Sequence, residues 1–158
     1  MSKLHAFITA SMTTRYTLET PDGRQLTLSI GISNAELDSL LLQHQAKCYA
    51  YMTAFNPQST TLSTVENEQR HQQLCSELDQ RGFRYLTGKA IPDTGEWEPE
   101  TCVFVFDMPH SVVLELCQAY AQDGAVVGAF ESVPKLMFTN PKLLEEFRIL
   151  LNDGNRLN

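Results

Sequence analysis

The chain has no apolar run of about 18 residues, the length a membrane-crossing helix needs. Its opening, Met1-Ser2-Lys3-Leu4-His5-Ala6-Phe7-Ile8, holds too short an apolar stretch for a secretory signal. No CxxC and no Cys/His pair at zinc-ligand spacing occurs. Cys48, Cys75, Cys102 and Cys117 stand far apart, each in an apolar setting, which reads as buried small hydrophobes. No metal, cofactor or disulfide is therefore expected. Basic residues are scarce, 12 against 19 acidic ones, and the formal charge of -7 repels a phosphate backbone. Phosphate loops, internal repeats and low-complexity tracts are absent, and tryptophan occurs once, as Trp97. These absences exclude the common catalytic signatures. They lead us to expect a cytoplasmic protein with no membrane association and little affinity for nucleic acid.

What is present fits one compact unit. With 158 residues, 42% hydrophobic and 20% charged, the chain can bury most of the surface its unfolded form exposes. A single domain over residues 1–158 is expected. Residues 15–32 read as a hairpin: Tyr16 to Thr20, a Pro21-Asp22-Gly23 turn, then Leu26 to Ile30 with alternating apolar positions. A helix follows, with Ser33 and Glu36 spaced as a capping box and Leu37, Leu40, Leu41 and His44 on one stripe.

From Lys47 the pattern is more informative. In Cys48 to Phe55 both alternating sets are largely apolar, as a central strand covered on both faces requires. Pro57 ends it. A helix from about Thr64 to Arg81 opens with Ser63 and Glu66 as a second capping box, and Gly82 supplies its left-handed stop. Strands follow at Phe83 to Gly88 and Cys102 to Phe106, then a helix over Ser111 to Gln122, then strands at Ala125 to Phe130 and Pro134 to Phe138. The order from Lys47 is strand, helix, strand, strand, helix, strand, plus one further strand. That is a ferredoxin-like split βαβ unit, βαββαβ with an extra strand, so the fold class is α+β. The core spans about residues 47–138, preceded by the hairpin and helix of 15–45. A final helix over 141–152, capped by Asn140 and opened by Pro141, carries Leu143, Leu144, Phe147, Leu150 and Leu151. Its stripe packs on the sheet or forms a dimer contact, leaving monomer and homodimer both open.

Between the central strand and the helix from Thr64 lies a knot of polar residues. Stepping back from the apolar stripe of Leu74, Cys75 and Leu78 reaches Arg70, His71 and Asn67, so the inward helix face turns polar toward its start. Groups covered there without partners cost roughly 1 to 3 kcal/mol each, so Asn67 and Arg70 require hydrogen-bonding neighbours or an open pocket. Asn56 is such a neighbour. Ser59, Thr60 and the N-H groups of the helix start add donors. Two readings stand side by side: an anion site anchored by the Arg70 fork, or a braced turn in which Asn67 and Arg70 hold the Asn56-Pro57 loop.

The stretch Thr53-Ala-x-Asn56-Pro57, followed by Ser63, Asn67 and Arg70 and later by Trp97-Glu98-Pro99, resembles the bacterial domain-of-unknown-function family 3293. The resemblance covers about residues 49–138. Its pattern has a Gln shortly before an Ala-Val-Val strand; here Gln122 precedes Ala125-Val126-Val127 at a spacing one residue longer. No established activity comes with the family, but the resemblance implies that the knot extends to Trp97 and Glu98. Glu98 could pair with Arg70, while Glu96 and Glu100 read as a solvated acidic rim. Trp97 reads as a lid on the core or as an aromatic wall of a pocket.

The expected function is that of an uncharacterised binding or regulatory protein. Its candidate ligand-binding residues are Asn56, Ser59, Asn67, Arg70, Trp97 and Glu98, and its partner a small anionic ligand or a protein. The alternative is a small enzyme with Glu98 as acid or base and Arg70 as anion anchor; nothing in the spacing pairs a nucleophile with a base. RNA binding is the least favoured reading. Tyr49, Tyr51, Phe55, Phe104 and Phe106 could line a sheet as base-stacking aromatics, but the strand Cys102 to Phe106 carries no Lys or Arg.

Overall fold

The computed structural model describes residues 3–93, 98–139, 142 and 145. Along them the chain forms α1 (Lys3–Thr13), β1 (Arg15–Glu19), β2 (Gln25–Leu28), α2 (Ala35–Gln43), β3 (Cys48–Thr53) and a 3-10 turn (Pro57–Ser59). There follow α3 (Thr64–Gln80), β4 (Tyr85–Ile91), β5 (Glu100–Phe106), α4 (His110–Ala119), β6 (Gly124–Ala129) and β7 (Lys135–Phe138). All pairings are antiparallel, and the sheet order is β2-β1-β4-β5-β3-β6-β7. The architecture is a mixed α+β one, with four α-helices against seven strands among the described residues.

β3 lies between β5 and β6, and its two alternating sets feed two cores. Tyr49 and Tyr51 share one face with Cys102, Phe104, Phe106 and Val126. Ala50 and Met52 share the other with Val103, Val105, Ala125 and Val127. A strand covered on both sides must be apolar at odd and even positions alike, which explains the run from Cys48 to Phe55. α3, through Leu74 and Leu78, and α4, through Val113, Leu116 and Cys117, cover the second face. The first is covered by α2, through Leu37, Leu40 and Leu41, and by the β1–β2 hairpin, through Leu18, Leu26 and Leu28. Each large side chain buried in these layers stabilises the fold by about 1.5 to 3 kcal/mol. The aromatics of β3 and β5 belong to this packing: Tyr49 and Tyr51 are 2% exposed and Phe104 is 0% exposed. They therefore do not form an open stacking platform.

Several boundaries differ from the sequence expectation for identifiable reasons. α2 is capped by Asn34 rather than Ser33. The Asn34 Oδ1 accepts the Leu37 N-H at 3.0 Å while its Nδ2 donates to the Thr27 carbonyl at 2.9 Å, tying the helix to β2 as well as starting it. α3 opens as expected at Ser63, whose Oγ accepts from the Glu66 N-H, and stops at Gly82, whose φ of +76° is the left-handed conformation glycine tolerates best. α4 ends at Ala119, short of Gln122, because Ala121 turns left-handed with φ of 54°. β5 begins at Glu100, where it pairs with Ala90, rather than at Cys102. α1 was not anticipated. Its Ile8 is fully buried, and the Tyr16 hydroxyl donates to the Ser11 carbonyl at 2.8 Å, fixing the helix beside β1. The helix expected over 141–152 lies outside the described residues, and no described helix is long and apolar enough to cross a membrane.

Candidate functional site

The end of β3 leads into a turn that is left-handed at three positions, Asn56 (φ 46°), Gln58 (φ 51°) and Ser59 (φ 60°). Non-glycine residues adopt this conformation at a cost and only when the surroundings fix them. Here the fixing groups come from α3 and from the end of α4. Asn67 on α3, 6% exposed, accepts the Asn56 backbone N-H on its Oδ1 at 2.9 Å and donates from Nδ2 to the Asn56 Oδ1 at 2.8 Å. The same Asn56 Oδ1 accepts the Leu62 N-H at 3.0 Å. One turn further along α3, Arg70 donates from Nε to the Ala54 carbonyl at 2.6 Å and from its Nη2 to the Tyr120 carbonyl. Its guanidinium lies 5.8 Å from the centre of the Tyr120 ring. Gln122 closes the arrangement, its Nε2 donating to the Phe55 carbonyl at 2.8 Å, while the Gln58 N-H donates to the Ala121 carbonyl at 2.7 Å.

The knot is thus two structures. Asn67, Arg70 and Gln122 are a brace that satisfies the backbone between Ala54 and Asn56 and joins it to the C-terminal end of α4. The braced-turn reading of Asn67 and Arg70 describes these contacts. Glu98 does not meet Arg70; it is exposed, and no ion pair among the described residues includes either side chain. His71 sits on α3 next to the brace, 9% exposed, with its Nε2 3.5 Å from the Cys75 Sγ. Burial lowers its pKa, so it is a neutral core histidine. Trp97 lies outside the described residues.

In front of the brace is a cavity of about 350 Å³. It lies between α1 and one end of the sheet, where β3 and β4 finish and β5 and β6 begin. Ala6, Phe7 and Ala10 of α1 form one wall, Met52, Ala125 and Val126 the sheet side, and Leu136 of β7 a flank. Of the expected site residues, Asn56, Ser59 and Glu98 line it and Asn67 and Arg70 do not.

Glu100 is the residue the sequence reading misplaced. Because β5 starts there, the side chain lines the cavity instead of joining a solvated rim, and its Oε2 accepts from the Asn56 Nδ2 at 2.9 Å. Burial raises its carboxyl pKa, and the Asn56 hydrogen bond works against that rise. Asn56 therefore connects the cavity wall to α3, since one amide meets both Glu100 and Asn67. Deeper still, the Cys102 thiol is pushed up to about 12 by burial and by the nearby Glu100, so it is protonated at neutral pH. All four cysteines are free, and no group of three or more His, Cys, Asp or Glu among the described residues could hold a metal ion.

Gln122 and Glu100 were both visible as letters but not as partners. Gln122 had one signal, its place just before the Ala125-Val126-Val127 strand; Glu100 had the apolar alternation that begins two residues after it. Comparison with known proteins adds a family and no activity. No curated protein and no solved structure matches the chain. The family model described as "Protein of unknown function (DUF3293)" matches residues 52–126, and this part of the chain, with Asn56, Asn67, Arg70, Glu100 and Gln122 in it, is assigned to that family.

Proposed function

We propose that this protein is a small-molecule-binding module whose ligand occupies the cavity between α1 and the sheet end, on a ferredoxin-like split βαβ core. The strand order β6-β3-β5-β4 with α3 and α4 on one face supports the fold reading. The cavity carries the functional one. Its volume of about 350 Å³ is in the range of small-ligand sites, and its mostly apolar walls converge on a few polar groups, Thr53, Asn56, Glu100 and Gln122. A concave site between a helix and a sheet suits a small molecule better than a protein surface. The four free cysteines favour a cytosolic setting, and the family resemblance a bacterial one.

The lining also revises the ligand's charge. An anion anchored on Arg70 would have to displace two carbonyl acceptors. The charged groups lining the cavity are Glu98, Glu100 and Asp123, with no Lys and only Arg-free walls among the described residues. Neutral or cationic ligands therefore fit better than anionic ones. Catalysis by Glu98 at the same cavity would lack the anchor paired with it, because Arg70 does not line the cavity.

Thermal-shift and NMR screening of metabolite-sized compounds tests the reading. A ligand at about 100 times its Kd stabilises the fold by about 2.7 kcal/mol and shifts amide signals of Asn56, Glu100 and Val126. Shifts confined to the outer surface, or no binding by any compound class, would overturn it.

A further inference from the structure

The wall that receives a ligand is not electrically neutral: its charged lining residues are all acidic. Glu100 holds one carboxylate oxygen, Oε2, in a hydrogen bond from Asn56, and no hydrogen bond among the described residues reaches Oε1. Glu98 stands two residues away on the chain and Asp123 lies just before β6, both lining the same cavity. The same cavity is lined by apolar side chains, Phe7 and Ala10 of α1 and Met52 and Leu136 of the sheet. A carboxylate covered by such walls lacks the water that would stabilise its charge. A cation delivered by the ligand supplies the missing stabilisation, and an apolar body fills the remaining space.

We infer that the cavity binds a small amphipathic amine, its ammonium group donating to Glu100 and its alkyl or aryl body lying between α1 and the sheet. This inference rests on the reading of the cavity as a ligand site and adds the ligand's chemical class. Three features set the class. No group of three or more His, Cys, Asp or Glu among the described residues is placed to hold a metal ion. A carboxylate ligand would enter a cavity whose charged lining residues are all acidic. An alcohol could donate a hydrogen bond to Glu100 but would leave its charge uncompensated.

Binding should also depend on pH. Burial raises the Glu100 pKa, so its carboxyl holds a proton to higher pH than an exposed glutamate does. An ammonium favours the ionised form. The titratable groups facing the same space are Glu98 and Cys102 beside Glu100 on the chain, Tyr16 of β1, Tyr51 of β3 and Asp123 before β6; α1 contributes the uncharged Ser11, Thr14 follows it, and α3 reaches the space through the Asn56-Asn67 contact. Burial pushes the two tyrosines and the thiol up, so they stay neutral through this range. Amine affinity should rise with pH as Glu100 ionises and fall only as the amine itself loses its proton.

The experiment compares matched probes on the full chain by isothermal titration and NMR: hexylamine and 2-phenylethylamine, hexanol and 2-phenylethanol, and hexanoate. At neutral pH an amine should bind at least ten-fold tighter than its alcohol, and Glu100→Gln should remove that preference while retaining alcohol binding. The wild-type pH profile is a second measurement that does not depend on the variant folding. Equal or tighter binding of alcohol or hexanoate, or a flat pH profile for the amine, overturns the amine inference but leaves a ligand cavity standing. No binding by any of the five probes, with none from the wider screen, overturns both.

Discussion

Asn67 and Asn56 hold each other by two hydrogen bonds of 2.9 and 2.8 Å, one to the backbone N-H and one to the side-chain oxygen of Asn56. The pair spans 11 residues of sequence and fixes a left-handed turn to a helix. Replacing Asn67 by Ala removes both bonds and leaves the Asn56 N-H covered without a partner. The expected loss is about 1 to 3 kcal/mol in urea unfolding. Asn67→Asp keeps the acceptor for the N-H but sets an oxygen against the Asn56 Oδ1, so it should also destabilise. A wild-type midpoint for either variant would show that the turn holds without α3.

Arg70 is expected to act on stability. Its Nε and Nη2 donate to the carbonyls of Ala54, just past β3, and Tyr120, the C-cap of α4. Lysine offers one ammonium and cannot reproduce the planar fork. Arg70→Ala and Arg70→Lys should each cost roughly 3 kcal/mol, given that a hydrogen bond to a charged group contributes about 1.5 to 3 kcal/mol. The measurement is the chemical midpoint of each variant. An unchanged midpoint with lost ligand binding would restore the anion-anchor reading.

These two residues also mark how far sequence reasoning reaches. The both-faces-apolar run at β3, the strand and helix order, and the inward polarity of α3 were legible, because periodicity and capping are local properties of the chain. That Asn56 and Asn67 would be partners followed from the need to satisfy covered amides. Which acceptor Arg70 would take did not follow: a guanidinium can meet a carboxylate or a carbonyl, and the choice depends on where Tyr120 ends α4. Glu100 was hidden for a related reason. Its alternation with Glu96 and Glu98 suggests a solvated run, and only pairing with Ala90 turns it inward. α1 was missed because its short pattern, Phe7, Ile8 and Ser11, is also what a mobile N-terminal segment shows.

Gly128 and Tyr49 give a packing prediction. A Cβ at Gly128 would stand 2.6 Å from Tyr49 Cζ and 2.8 Å from Cε1. The ring cannot retreat freely, because it stacks on Phe104 at 4.8 Å. Gly128→Ala should cost about 1 to 3 kcal/mol through overpacking. The Tyr49 hydroxyl is buried with no hydrogen-bond partner among the described residues. Tyr49→Phe should therefore be neutral or stabilising by about 1 kcal/mol, and it should relieve part of the Gly128→Ala penalty in the double variant. Additive effects would mean the two side chains do not compete for space.

Cysteine reactivity reports on the two cores separately. Cys102 and Cys117 are buried, and burial pushes each thiol up to about 12. Cys48 and Cys75 are only half-buried, though burial raises them too. Native protein treated with a thiol reagent at mildly alkaline pH should be modified at Cys48 and Cys75 first, with Cys102 and Cys117 reacting at the rate of unfolding. Peptide mass spectrometry over time separates the sites. Early modification of Cys102 would mean that the cavity opens far enough to admit the reagent.

Glu100 should leave a signature in the pH dependence of stability even without ligand. Burial raises its folded pKa above that of the unfolded chain, so the folded state holds the proton more tightly. Between the two pKa values the folded state binds more protons than the unfolded one, and stability falls as pH rises. The contribution is fully present below the ordinary glutamate value of about 4.3 and is lost as pH climbs through the folded pKa. Glu100→Gln removes this titration and keeps an acceptor oxygen for the Asn56 Nδ2. Urea unfolding of both proteins at steps from about pH 4 to pH 8 should therefore show the stability of wild type falling relative to the variant as pH rises. A constant difference across that range would mean that Glu100 titrates as an exposed carboxyl, and that its bond to Asn56 offsets the whole cost of its burial.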